Sequence, residues 1–241
     1  MDQSQALNVD SSSKSLYRLG GVVALLVPLV ALVDIITAML QGEAAAPGTL
    51  SATQWFAIFQ DNSFLGLSNL GLLNVIYNSL AVPLFFALYV ALRRVDRTYA
   101  GLAAILLVMG ATVYIATNTA FPMFALSGQY ASATTEAQKT LIAAAGQAVL
   151  AREDLTPGTF MGFFLTEAAG IMMALAMLRS RIFSKWTAVT GLLAYGVLLL
   201  FSICAAFVPA AYGVTMIVGM IGGLGASAFY IMAARRLFQL A

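Results

Sequence analysis

Two carboxylates lie where a carboxylate is hard to keep. Glu167 sits near the middle of the apolar stretch 157–178, and Asp34 sits inside another, 17–40. A charged side chain at the centre of a bilayer costs about 2.5–3.5 kcal/mol on insertion scales, so such acids mark a proton, an ion, a polar ligand or a buried partner. Counted from the predicted outer ends of their stretches, Glu167 lies roughly 12–15 Å deep and Asp34 roughly 9 Å. Amides lie at similar depth. Asn74 and Asn78 are four apart and share a helix face with Gly71 and Ala81. Asn118 follows Tyr114 and Thr117, while Thr37 and Thr166 accompany the two acids. An amide both donates and accepts hydrogen bonds, so the asparagines are suitable partners for the acids. No Lys or Arg falls at that depth. Glu167 is therefore expected to hold a proton, to face a wet cavity or to bind a cation. The pattern predicts that Asp34, Asn74, Asn78, Asn118 and Glu167 converge on a ligand- or ion-binding pocket open to the outer side. The competing reading makes each polar group a bond between neighbouring helices, the commoner fate of asparagine in a bundle.

Composition removes many other chemistries. Of 241 residues, 61% are hydrophobic and 9% charged, against about half and a quarter in soluble domains. The net charge of +2 does not indicate a nucleic-acid surface. Histidine is absent, which excludes His-ligated haem, the usual zinc and copper sites and any triad with an imidazole base. One cysteine, Cys204, allows neither an intrachain disulfide nor a cysteine metal site. The lysines are Lys14, Lys139 and Lys185, none in mid-span, so a Schiff base has no amine. No catalytic residue, metal site or cofactor is expected.

These residues must be held by membrane helices. The apolar runs place six spans at 17–40, 67–92, 99–121, 159–178, 186–208 and 212–234. Each is long enough for roughly 30 Å of hydrocarbon, and none alternates like a barrel strand. The prediction is an all-α polytopic bundle, one transmembrane domain over 1–241 with a polar cytoplasmic segment at 1–16. Ala44-Ala45-Ala46 resembles a cleavage site, but the first stretch is too long for a signal sequence and is expected to stay as a span. Ten of the twelve Lys and Arg residues fall before span one, between spans two and three, between four and five, or after six. Lys139 and Arg152 face the other way, with Glu43, Asp61, Glu136, Glu153 and Asp154. Basic residues favour the cytoplasm, so both termini are predicted there.

The two longer outer loops should carry short amphipathic surface helices. Ser51-x-x-Gln54 opens one, with Trp55 and Phe59 on a shared face; Thr135-x-x-Gln138 opens another, with Leu141, Ala145, Ala148 and Val149 as its predicted apolar face. The second is a candidate lid, although amphipathicity alone indicates only an interfacial helix. Gly219, Gly223 and Ser227 repeat every fourth residue in span six, a stripe that packs closely on another helix of this chain or of a second subunit. Spans five and six otherwise offer little polarity: Ser202, Thr215 and Ser227. Like span ends (Leu88 to Arg94, Ala174 to Arg179, Phe229 to Arg236) allow a tandem hairpin repeat, or arise simply from membrane-end chemistry. One acid in each three-span half also permits an inverted three-plus-three arrangement.

The segments Ala87-Leu-Tyr-Val-Ala-Leu-Arg-Arg-Val-Asp-Arg97 and Leu178-Arg-Ser-Arg-Ile-Phe-Ser-Lys-Trp-Thr-Ala-Val-Thr-Gly191 resemble a family of uncharacterised bacterial six- or seven-span integral membrane proteins, defined by a domain of unknown function. There a span ends in an arginine-bearing turn and the next opens toward a glycine. The family usually has a proline before the fifth span, where this chain has Ser184-Lys185. The resemblance implies the plasma (inner) membrane of a bacterium and supplies no catalytic residue.

Three functions compete. One is binding or translocation of a proton, cation or small polar solute through the outer polar pocket. The second is a non-catalytic scaffold or subunit, with the glycine stripe as contact. The third, an intramembrane enzyme, lacks a nucleophile–base pair and a phosphate loop.

Overall fold

The computed structural model describes residues 3–41, 50–155, 157–208 and 212–241, with side chains over 13–37, 50–151, 159–208 and 213–241. Among them the regular elements are helices: α1 (Gln3–Gln41), α2 (Ala52–Asp61), α3 (Ser63–Asn69), α4 (Leu72–Leu92), α5 (Arg97–Thr117), α6 (Ala120–Ser132), α7 (Glu136–Leu155), α8 (Pro157–Arg179), α9 (Lys185–Phe207) and α10 (Tyr212–Leu240). Six helical stretches are long and apolar enough to cross a membrane, one at each predicted place. The protein is an all-α, multi-pass membrane protein.

The six long helices close into a ring. Each packs on two others in the order α1, α4, α5, α8, α9, α10 and back to α1. In lipid, close packing rather than hydrophobicity holds such helices together. The contacts accordingly use small residues. Ala24, Ala87, Ala103, Ala188 and Ala234 are fully buried, with Leu84, Phe85, Met173 and Phe229 between them. Leu29 and Leu32 of α1, Ile105 of α5, Leu193 of α9 and Leu224 of α10 turn outward as a lipid-facing surface. The ring order does not accommodate the inverted arrangement. A two-fold axis in the membrane plane reverses the sense of a ring, so it cannot carry α1, α4, α5 onto α8, α9, α10 in the same cyclic order. Tandem hairpins keep the sense and remain compatible with it.

The basic end of the ring is tied by side chains. Asp96 caps α5, accepting from the Tyr99 N–H at 3.0 Å, and takes Arg179 Nη1 at 2.8 Å from the end of α8. The Arg179 guanidinium lies 4.2 Å from the Tyr99 ring centroid. Arg236 Nε donates to the Ile182 carbonyl at 2.5 Å, joining α10 to the α8–α9 turn. Ser184 opens α9 by accepting from the Thr187 N–H at 3.1 Å. Capping thus starts α9 where the family resemblance leads one to expect a proline.

At the opposite end, α2, α3, α6 and α7 form a second apolar cluster around Trp55, Phe56, Phe59, Met123 and Leu150. The predicted capping box of α2 is present between Ser51 and Gln54. Ser127 donates to the Phe56 carbonyl at 3.1 Å, and the Ala52 N–H donates to Gln147 Oε1 at 3.2 Å. Helix α7 uses little of its predicted face. Leu141, Ala145 and Ala148 are exposed; Val149 of that face turns inward, together with Ile142, Gly146 and Leu150. Gly146 leaves room for Phe56 and Ala52, and hydrophobic patterning does not score a glycine as a contact. Helix α6 was not anticipated either. Pro122 marked the end of span three, yet it is the third residue of α6, where its missing N–H has no intrahelical acceptor to lose. Span two begins at Leu72 instead of 67, because Gly71 turns the chain with φ +91°. Helix α1 runs unbroken from Gln3 and so takes in the described part of the polar segment 1–16. Glu43, Ala44–Ala46 and Pro209, and the side chains of Arg152, Glu153 and Asp154, lie outside the described residues.

Two expectations follow. A Cβ at Gly71 would meet Tyr114 Oη and Asn118 Nδ2, in a backbone conformation that favours glycine. Gly71→Ala should therefore destabilise the protein by roughly 1–3 kcal/mol in thermal unfolding. Arg179 and then the Tyr99 N–H hold the Asp96 carboxyl below the ordinary carboxylate range. That stabilisation is complete above the ordinary value and is lost as pH falls through the depressed one. Asp96→Asn should lower the unfolding midpoint at neutral pH, and the gap to wild type should close in strong acid.

Candidate functional site

A cavity of about 490 Å³ lies inside the ring, and every one of the six long helices contributes to its wall. Helix α1 supplies Asp34, α4 supplies Asn74 and Tyr77, α8 supplies Thr166 and Glu167, α9 supplies Tyr195, and α10 supplies Ser227 and Tyr230. The rest of the wall is apolar, including Phe163, Leu198, Phe201 and Met216; no Lys or Arg is among the lining residues.

Helix geometry sets the depths. Asn74 is two residues into α4, so with Asp34 it lies near the end of the ring that carries the α2–α7 cluster. Glu167 is ten residues into α8, roughly 15 Å from the start of that helix. Asn74 Nδ2 donates to Asp34 Oδ2 at 3.2 Å, a bond between α4 and α1. The Thr37 hydroxyl donates to the Asp34 carbonyl at 2.9 Å. The Ser202 hydroxyl donates to Glu167 Oε1 at 2.6 Å, a bond from α9 to α8. Glu167 Oε2 is buried with no hydrogen-bond partner among the described residues, and the residue as a whole is 5% exposed. A buried carboxylate oxygen without a donor is the least satisfied kind of polar atom, since it forfeits its solvation without replacement.

Three tyrosines complete the polar wall. The hydroxyls of Tyr77 and Tyr195 both meet that of Tyr230, at 2.7 and 2.5 Å. A phenol donates and accepts, so each bond can run either way and the trio can reorient around a ligand. Gly170 makes this possible: a Cβ there would run into the ring of Tyr195.

The five predicted residues therefore divide. Asp34, Asn74 and Glu167 share the cavity wall. Asn78 does not line it; Asn78 Nδ2 donates to the Asn74 carbonyl in its own helix at 2.8 Å, and Oδ1 is buried without a partner among the described residues. One turn along α4 was enough to carry it out of the wall, because helical residues four apart share a stripe but not one point. Asn118 has another role. It is the C-cap of α5, donates through Nδ2 to the Leu70 carbonyl at 2.9 Å, and accepts the Ala120 N–H at 3.1 Å. It staples the α5–α6 break to the α3–α4 break. The sequence had placed it within a continuous span, and only the unforeseen break gives it backbone groups to satisfy.

Ser202, Tyr77, Tyr195 and Tyr230 were missed. Tyr195 and Tyr230 sit well inside their helices, whereas membrane tyrosines usually gather at the interface, and that depth was the available signal. Tyr77 lies three residues from Asn74, on the same face. Of the glycine stripe, Gly219 lies against α9, where a Cβ would meet the ring of Phe201, while Gly223 and Ser227 line the cavity. Among the described residues no group of three or more His, Cys, Asp or Glu is placed to hold a metal.

Comparison with known proteins adds the family. The family described as a domain of unknown function (DUF4386) matches residues 30–231. The chain belongs to that family. The matched range takes in Asp34, Asn74, Tyr77, Glu167, Tyr195 and Tyr230. No curated protein and no solved structure matches the chain.

The trio makes a direct prediction. Tyr230→Phe removes the hydroxyl that both neighbours use, leaving two buried phenols to find partners; Tyr77→Phe removes one bond. Thermal unfolding in detergent should show a loss of roughly 1–3 kcal/mol for Tyr230→Phe and a smaller one for Tyr77→Phe.

Proposed function

We propose that this DUF4386 protein binds a cation, a proton or a small polar solute in the cavity of its helix ring, and carries it toward or across the membrane. The observation that supports this most is Glu167: an acid that lines a cavity wall without a basic residue, held by one serine, with its other oxygen buried and unpartnered among the described residues. A carboxyl committed to helix contact would have both oxygens satisfied. Basic residues at one end of the ring argue that this end is cytoplasmic. The mouth at Asp34 and Asn74 would then face outward. The inner membrane of a bacterium is the setting that the family resemblance implies.

The scaffold reading depended on a glycine stripe free to meet another subunit. With Gly219 against Phe201 of α9, that stripe gives it no particular support.

The test is flux in proteoliposomes, read with an internal pH dye and with sodium and potassium indicators. Wild type should conduct at least one of these ions above empty vesicles. Glu167→Gln, which keeps an acceptor for Ser202, should reduce the flux about tenfold or more, the loss expected for one charge-assisted contact. Asp34→Asn should reduce it less, since Asp34 already has a donor in Asn74. Wild-type flux in both variants would remove the proposal.

A further inference from the structure

Resting on that reading of the cavity, we infer that its ligand is a lipophilic organic ammonium ion, bound through an N–H to the Glu167 carboxyl, with its apolar body against Phe163, Phe201 and Met216.

Four properties of the wall select this class. First, among the described lining residues Glu167 has a buried oxygen, Oε2, with no partner, and one donor, Ser202, on the other. An ionised carboxyl there calls for a donor, and a cationic donor makes the stronger bond. Second, the wall holds two carboxylates and no basic side chain. When either acid ionises, an anion is repelled and a cation compensates the charge where a neutral solute does not. Third, the volume, about 490 Å³, matches a drug-sized molecule. A bare metal ion would leave most of it unfilled and would need about six or more oxygen ligands. Asp34 and Glu167 stand on different helices, each already bonded to its own neighbour. Fourth, most of the wall is apolar and aromatic. Faces of Phe and Tyr attract an ammonium and also accept a hydrocarbon body. The phenols of Tyr77, Tyr195 and Tyr230 can turn to accept the remaining N–H groups.

Gly223 supplies an independent handle. It lines the cavity, and a Cβ there meets nothing within 4 Å. Gly223→Leu should fill the space without clash and should favour the helix over glycine.

The experiment is calorimetric titration of the full chain in lipid nanodiscs, with empty nanodiscs as blank. The probe is 1-naphthylmethylammonium, and its neutral counterpart is 1-naphthylmethanol. Wild type should bind the ammonium and not the alcohol. Glu167→Gln and Gly223→Leu should each weaken binding about tenfold or more, with unfolding midpoints showing that the variants are folded. If Glu167→Gln does not fold, Gly223→Leu alone decides. Equal binding of the alcohol, or wild-type affinity in a folded Gly223→Leu, would overturn the inference. So would sodium or potassium displacing the probe, or ion flux that Glu167→Gln abolishes in a protein that binds no ammonium. These last two results would leave the cavity as a cation site and remove only the organic ligand.

Discussion

The site is organised by the need to satisfy a carboxyl at mid-bundle depth. Glu167 must take its donors from other helices, because its own backbone N–H groups are spent on the helix. Ser202 provides one, across the α8–α9 contact. The second oxygen is buried without a partner among the described residues, on a side chain that lines the cavity. The surrounding packing is consistent with this: Gly170 and Gly191 let α8, α9 and α10 approach, with Tyr195 and Phe229 packed into the space that their missing side chains leave.

The ring closes that arrangement. A six-membered ring of helices is wider than four helices packed in a bundle, and its middle must be filled or left open. Here one part is filled by Leu84, Leu88, Met173, Met177 and Phe229 around the main core. The remainder is the cavity, with Asp34 and Asn74 toward the α2–α7 end, Glu167 deeper, and apolar side chains between. The α2–α7 cluster sits at one end of the ring and the Asp96–Arg179 pair at the other. Neither lines the cavity, so both hold the ends of helices whose middles carry the chemistry.

Much of this was legible in the sequence, for identifiable reasons. Membrane spans announce themselves by length and apolarity, so six were placed correctly. Acids in such spans are conspicuous, so Asp34 and Glu167 stood out, and Asn74 followed from its spacing. What failed was whatever depended on a residue's contact across helices. Ser202 is an unremarkable serine until α9 is set against α8. Tyr195 and Tyr230 are 35 residues apart and meet only when the ring closes. Gly71 and Asn118 looked like members of continuous spans because the few polar residues beside them are flanked by longer apolar runs; the turn at Gly71 and the staple through Asn118 are backbone events that hydropathy does not register. Gly146 misled the reading of α7 for the same reason.

The account rests on the wall beside Glu167 being reachable by water and solutes, while its neighbours on the same helices face lipid. Adjacent residues of α10 test this most directly. Gly223 lines the cavity, and Leu224 is 65% exposed on the outside of the ring. In a chain with Cys204→Ala, reconstituted in lipid, a water-soluble maleimide should label Gly223→Cys readily and Leu224→Cys hardly at all. Equal labelling of the two, or labelling of Leu224→Cys alone, would contradict a solute-accessible cavity inside the ring.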